Sequence, residues 1–258
     1  MKEKTYKTKK DAIQNFTPVY GKRSKELEDV EFPLPTHKKV LKNKKFPYDT
    51  FSILMVNSNY GGINNSNEEY RNYLYSNKME AVEDFLENLE IEGAKVPNMR
   101  TVERHIKTIL EYDLGLIGVR NTDNGIVYMI KAHVDNKYYV KVPYNQIREL
   151  LISTNKNMLK LFTFMKVMCD EKSHKTMDRK FIAEYIGLSS KSDNNLKSVG
   201  TMLNSLANLG FIEIMEDTKV EMDNKGKKTV KTIHSYRICS YEEYKEAKNR
   251  GKVKKNKK

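Results

Sequence analysis

Cysteine is scarce in this chain, and the two present, Cys169 and Cys239, form neither a CxxC pair nor a zinc-ligand spacing. That excludes a disulfide scaffold and a cysteine-based metal finger, and it agrees with a reduced compartment. Long apolar runs are missing as well. No stretch approaches the ~18 residues of a membrane span. Met1-Lys2-Glu3-Lys4 lacks the apolar segment of a secretory signal. The expectation is a cytoplasmic protein with no membrane partner. Catalytic signatures are equally thin. His37, His105, His133, His174 and His234 include no HxH pair, which argues against a metal-dependent nicking endonuclease. GxxxxGK[ST], HExxH and GxSxG are all missing. Tyr6 and Tyr20 have no obvious activating base beside them in sequence. No enzymatic activity, no metal and no cofactor are expected.

Positive charge is abundant, and its distribution is uneven. The formal net charge is +13 over 258 residues. Residues 1–45 hold 13 Lys/Arg against 6 Asp/Glu, and residues 245–258 hold 8 against 1. The stretch between them is therefore close to neutral. Basic arms of this kind attract polyanions, of which nucleic acid is the commonest. A hydrophobic content of 38% is enough for globular cores, and the length allows one or two domains.

A weak internal repeat divides the middle. Lys45-Phe46-Pro47-Tyr48-Asp49-Thr50-Phe51 is echoed 96 positions later by Lys141-Val142-Pro143-Tyr144-Asn145-Gln146-Ile147. At the same offset Leu54 meets Leu150, Phe85 meets Phe181 and Leu86 meets Ile182. Leu114-Gly115-Leu116-Ile117 answers Leu209-Gly210-Phe211-Ile212 at an offset of 95.

In the first copy, Pro47 opens a helix to Val56, and a polar stretch around Gly61-Gly62 and Asn64–Asn67 reads as a loop. Val82, Phe85, Leu86 and Leu89 form a helical apolar stripe with acidic other faces. Val102, Ile106, Ile109 and Leu110 mark a second helix starting near Asn98. Strands flank Asp123-Asn124-Gly125, a hairpin signal. The second copy reads as helices Pro143–Ile152, Met158–Met168, Asp178–Ile186 and Asp193–Asn208. A hairpin around Asp223–Gly226 follows. Phe181, Ile182, Tyr185 and Ile186 are expected inward, and Ser192 is expected to cap the last helix.

Helices, a turn, a further helix and a β-hairpin, twice over, is the winged-helix plan. The expected fold is α+β and mainly helical, with two tandem winged-helix domains related by a pseudo-twofold internal repeat and with flexible basic termini. The expected boundaries are 1–45 for a basic, largely irregular arm, 46–136 and 137–240 for the two domains, and 241–258 for a basic tail.

A major groove admits one helix, whose exposed side chains read base edges. Arg100, Thr101, Arg104, Lys107 and Thr108 are the candidates on the first reading helix. Asn194, Asn195, Lys197, Ser198 and Thr201 are those on the second, with Asn204 beside them. Lys225, Lys227, Lys228 and Lys231 make the second hairpin a basic wing, joined by Lys219 and Arg237, and suited to the backbone or a minor groove.

With the Lys-aliphatic-Pro-Tyr opening of the second copy, the tandem winged helices and the basic second wing, residues 45–240 resemble plasmid and phage replication initiators that bind repeated origin sequences. The resemblance implies sequence-specific binding of double-stranded DNA, with both winged helices on one repeat. It also implies a homodimer as an alternative state, and host replication proteins (a helicase or its loader) as partners. A transcriptional regulator, a phage protein that loads replication factors, and a winged-helix scaffold for protein partners remain open alternatives.

Overall fold

The computed structural model describes residues 29–60, 72–75, 79–112, 114–123, 125–132, 137–153, 157–222 and 228–255. Most of the expected N-terminal arm, the Gly61–Asn67 stretch, Lys225 and Lys227 lie outside them. Among the described residues the fold is α+β, with nine helices and small antiparallel sheets.

The chain divides into two compact units, each drawn from three separate stretches. One comprises Met1–Pro33, Thr50–Ala132 and Lys141–Ile152, and the other Leu34–Asp49, His133–Val140 and Ser153–Lys258. Strand β1 (Glu31–Pro35) pairs with β6 (Tyr139–Pro143) in a sheet of two. Prolines at positions 33 and 35 suit such a strand, because each lacks a ladder donor and must sit where none is needed.

The first unit is built on helix α2 (Tyr48–Asn57) from Thr50 onward, where Phe51, Ile53, Leu54, Met55 and Val56 are all buried. Strands β2 (Asn59–Tyr60) and β3 (Asn72–Tyr75) follow, then α3 (Glu80–Ile91) and α4 (Met99–Glu111). The apolar stripe of α3 is buried as its spacing predicts, and so are Val102, Ile106 and Ile109 of α4. Leu110, assigned to the same stripe, is partly exposed. The hairpin β4 (Ile117–Thr122) and β5 (Gly125–Ile130) completes a sheet of order β2-β3-β5-β4. Helix α5 (Tyr144–Ile152) closes the unit, with the Tyr144 ring 6.1 Å from Phe85 and an Arg148–Glu92 ion pair.

In the second unit α6 (Met158–Met168) is the most deeply buried helix, every residue from Met158 to Met165 being shielded from solvent. Phe162 meets Phe211 at 4.9 Å between ring centres. Strand β7 (Lys175–Thr176), α7 (Arg179–Tyr185), α8 (Asp193–Asn208) and the long hairpin β8 (Ile212–Met222) and β9 (Lys228–Ile238) follow, with sheet order β7-β9-β8. Ser192 caps α8 by accepting the Asn195 amide at 3.4 Å. Phe181 departs from expectation: Ile182 and Ile186 are buried, but Phe181 is 40% exposed at the edge of an aromatic cluster with Phe164 and Tyr185.

Residues 34–49 belong to this second unit, where the sequence suggested irregular backbone. They carry α1 (Lys38–Leu41) and bury Leu34, Val40, Leu41, Phe46 and Tyr48. Lys160 Nζ donates to the Asn43 carbonyl at 2.9 Å, and the Tyr48 hydroxyl donates to Pro35 at 3.0 Å. At the end of α7, Gly187 has φ +80°, and a Cβ there would stand 2.6 Å from the Lys42 carbonyl oxygen. Only glycine satisfies both the left-handed turn and that approach.

Within the expected basic tail, Tyr241–Lys255 is helical. Helix α9 (Tyr241–Lys255) starts with a capping box in which Ser240 Oγ accepts the Glu243 amide and Glu243 accepts the Ser240 amide. Tyr244, buried, lies 4.9 Å from Phe211.

Apart from the additional strand β2 in the first unit, the element order recurs: helix, strand, helix, helix, hairpin, as α2-β3-α3-α4-β4-β5 and as α6-β7-α7-α8-β8-β9. In both sheets the first of these strands lies beside the last. The Lys-x-Pro-Tyr echo does not follow this order. Tyr48 and Tyr144 both begin helices, α2 and α5, but the counterpart of α2 in the recurring order is α6. The 96-residue offset matches α3 to α7, becomes 95 at Leu114 and Leu209, and does not hold before α3.

Candidate nucleic-acid interface

The second helix of each pair presents a polar stripe. On α4, Arg100, Arg104 and Lys107 are exposed at i, i+4 and i+7, so they share a face. Asn98 caps the helix by accepting the Thr101 amide at 2.9 Å. Thr101 and Thr108 are half-buried, and the Thr108 hydroxyl donates to the Arg104 carbonyl at 3.1 Å. These two threonines therefore stand off the charged face on which the sequence placed them. His105 shares a 2.6 Å hydrogen bond with Thr50 Oγ1, fixing α4 to α2. Burial, then the neighbouring Arg104 guanidinium, holds its pKa below the ordinary histidine value. It acts as a neutral spacer and adds no charge to the face.

On α8, Asn194, Lys197, Thr201 and Asn204 are exposed on one face. Asn195 and Ser198 are half-buried, and Asn195 Nδ2 donates to the Ser189 carbonyl at 3.1 Å, so the Asn195 amide secures the turn before the helix. The Thr201 hydroxyl donates to the Lys197 carbonyl. The charges on this face are Lys197 and, at its N-terminal end, the exposed Asp193.

Of the hairpin lysines, Lys228 and Lys231 are exposed on β9, and Lys219 stands directly across from Lys231. Arg237 does not add to this basic surface. Its guanidinium bonds Glu213 at 2.5 and 2.8 Å and Glu243 at 3.0 and 3.1 Å. Those bonds raise the arginine pKa and hold the Glu243 carboxyl down at about 2. Arg237 is a structural tie joining β8, β9 and α9.

Two features escaped the sequence. Arg179 opens α7 and reaches β9, where Nη2 lies 3.0 Å from His234 Nε2. It also lies against α8 at Gly200, where a Cβ would come within 3.2 Å of Nη1. The glycine inside a helix was the available signal. The second feature is a cleft of about 300 Å³ between α4 and the β4–β5 hairpin, lined by Met79, Ile106, Leu110, Val119, Ile126 and Tyr128, with Glu103 and Lys107 of α4 also on its wall. Exposed valine and isoleucine in a short hairpin were its only sequence trace.

Among the described residues no group of three or more His, Cys, Asp or Glu side chains is placed to hold a metal ion. No helix among them is long and apolar enough to cross a membrane. Both cysteines are free, and burial pushes each thiol up to about 11, so neither is an activated nucleophile at neutral pH. Comparison of the chain with protein-family models, with curated proteins and with solved structures finds no match.

Proposed function

We propose that the two units are winged-helix modules and that the chain is a sequence-specific double-stranded DNA-binding protein of the replication-initiator kind. One observation carries the reading. Both units repeat the order helix, strand, helix, helix, hairpin, with the first strand beside the last, and both leave the second helix of the pair with an exposed polar face. A helix held this way by a partner helix and a hairpin suits major-groove entry. In this reading α4 and α8 are the reading helices. Arg100 and Arg104 offer bidentate guanine contacts, and Asn194, Lys197, Thr201 and Asn204 offer hydrogen bonds of lower charge. The proposed setting is the cytoplasm, with origin DNA as the partner and a host helicase or its loader as the protein it recruits.

Selection of duplexes from a random pool, followed by gel shifts across a salt series, tests the reading. A selected sequence bound at least a hundredfold more tightly than random duplex is the expected result. Equal binding of all duplexes at every salt concentration refutes it. Direct repeats of the selected site beside the coding gene would distinguish an initiator from a transcriptional regulator.

The open cleft beside α4 favours a second reading, in which the first unit docks a protein. Substitution of Leu110 and Val119 by Ser separates the two: DNA affinity is unchanged if the cleft serves a protein, and reduced if it supports the reading helix.

A further inference from the structure

The hairpin of the second unit is longer than the sheet it belongs to. Strand β7 covers β9 only at Ser235 and Tyr236. Outward from there, β8 and β9 continue as a two-stranded ribbon through seven opposed pairs, from Glu216↔His234 to Met222↔Lys228. At roughly 3.3 Å per residue the ribbon reaches about 20 Å beyond the third strand.

Directly opposed residues share a face, and the faces alternate along a strand. The face that holds Ile212↔Ile238 and Ile214↔Tyr236 is the core face, with Ile212, Tyr236 and Ile238 buried. Three pairs farther out the same face carries Val220↔Val230 and then Met222↔Lys228. There Val220 is 58% exposed, Val230 65% and Met222 67%. Between the core and this patch the same face carries the polar pairs Glu216↔His234 and Thr218↔Thr232, so the exposed apolar patch stands apart from the core. The other face carries the opposed Lys219↔Lys231 pair, and in sequence residues 219–231 hold five lysines against two acidic residues, Glu221 and Asp223.

An exposed apolar patch on a slender ribbon signals a partner, and the charge selects which one. A second copy seated on the apolar face would bring Lys228, and a ribbon of the same net positive sign, against its like. The two phosphate rows that border a minor groove carry the opposite sign, and groove-entering proteins use apolar side chains as wedges between base steps. We infer that the β8–β9 ribbon enters the minor groove of the bound duplex, seating Val220, Val230 and Met222 at a base step and bending the DNA. The inference rests on the proposed duplex binding and adds a deformation to it. Sequence choice then includes base steps that no side chain reads, because flexible pyrimidine–purine steps yield more easily.

The test uses the full chain and a selected duplex labelled at both ends for energy transfer. Wild type is expected to bend the duplex by at least about 20°. A Val220→Ser, Met222→Ser, Val230→Ser variant, altered only at exposed positions, is expected to leave it straight, to bind about tenfold more weakly, and still to prefer the selected site over random DNA. Lys219→Gln with Lys231→Gln should keep the bend and lower the salt slope by about 2. Inosine in place of guanine removes only a minor-groove amino group. It should change wild-type affinity and leave the triple variant unaffected. A straight duplex with wild type, or full bending by the triple variant, overturns the inference. So does a changed oligomeric state of the triple variant in sedimentation with the bend intact, which would make a second copy the occupant. Loss of all duplex preference in wild type would instead refute the underlying DNA reading, and the ribbon's role would fall with it.

Discussion

Replacing Lys160 by Met removes an ammonium group held in the core of the second unit. Lys160 is buried, only 3% of the residue being exposed, and desolvation lowers its pKa from 10.5 to about 8, with Asp49 opposing the shift. The sign follows from proton counts. Below pH 8 both folded and unfolded chains hold the proton, and the burial penalty is fully present. Between pH 8 and 10.5 the folded chain has released it while the unfolded chain retains it, so stability rises with pH. A shift of this size corresponds to roughly 3 kcal/mol. The Met variant loses the bond to the Asn43 carbonyl, but that oxygen still accepts the Phe46 amide at 3.3 Å, so the loss costs about 1 kcal/mol. Asp49 also loses the ammonium charge in the variant, so the quantity that follows is the trend: the variant's stability relative to wild type should fall by roughly 2–3 kcal/mol between pH 7 and pH 10. Cys169 and Cys239 act in the opposite direction above pH 9, because the unfolded chain ionises them first. They are common to both proteins and cancel in the difference. Urea unfolding followed by circular dichroism at pH 7, 8, 9 and 10 measures that difference. A difference that stays constant with pH would refute the account.

Arg100→Ala, Arg104→Ala and Lys107→Ala together should weaken binding by at least tenfold and relax sequence preference; unchanged discrimination in gel shifts would show that α4 does not read bases. Gly187→Ala should cost about 2–3 kcal/mol in urea unfolding, since it adds a clash with the Lys42 carbonyl to a left-handed φ. Gly93→Ala, with a similar φ of +89° and open space around it, should cost only about 1 kcal/mol, and equal costs would remove the clash from the explanation. Glu243→Gln should flatten the acid limb of the stability curve. The depressed carboxyl contributes stability above about pH 4.5 that is lost as pH falls toward 2, and exposure limits the effect to at most about 1 kcal/mol. An unaltered acid limb would show that the Arg237 tie is energetically idle.

Periodicity and capping chemistry are local, and they were legible. Val82, Phe85, Leu86 and Leu89 define α3, Asn98 and Ser192 cap α4 and α8, and Asp123 with Gly125 turns the first hairpin. What escaped was set by partners distant in sequence. Nothing near Leu34 or Val40 announces that they are core residues, because the rest of their unit comes from residues 133–140 and 153–258. Arg237 looked like a free cation, since Glu213 and Glu243 converge on it only when β8, β9 and α9 assemble. The half-burial of Thr101, Thr108, Asn195 and Ser198 has the same origin. A helical wheel marks which side of a helix is polar, but the packed neighbours decide how far around the helix solvent reaches. The Lys-x-Pro-Tyr echo misled for a related reason: a helix start is a local event, and the same local signal opens α2 and α5 in different places in the recurring order.

The two units share an order of elements but divide charge and reach between them. In the first, the second helix carries three exposed cations, Arg100, Arg104 and Lys107, and the hairpin has strands of only six residues. In the second, the corresponding helix face holds one cation, Lys197, and the hairpin strands extend to eleven residues with lysines toward the tip. Neutral hydrogen-bonding groups discriminate between bases without much salt dependence, whereas each phosphate neutralised by a lysine adds nearly one to the salt slope. Under the proposed reading, selectivity in the second unit belongs to α8 and attraction to its ribbon, while α4 combines both on one face. Substitutions on α4 should then change specificity and salt slope together. In the second unit the two should separate, with Asn194→Ala or Thr201→Ala altering sequence choice at constant slope and the ribbon lysines altering slope at constant choice.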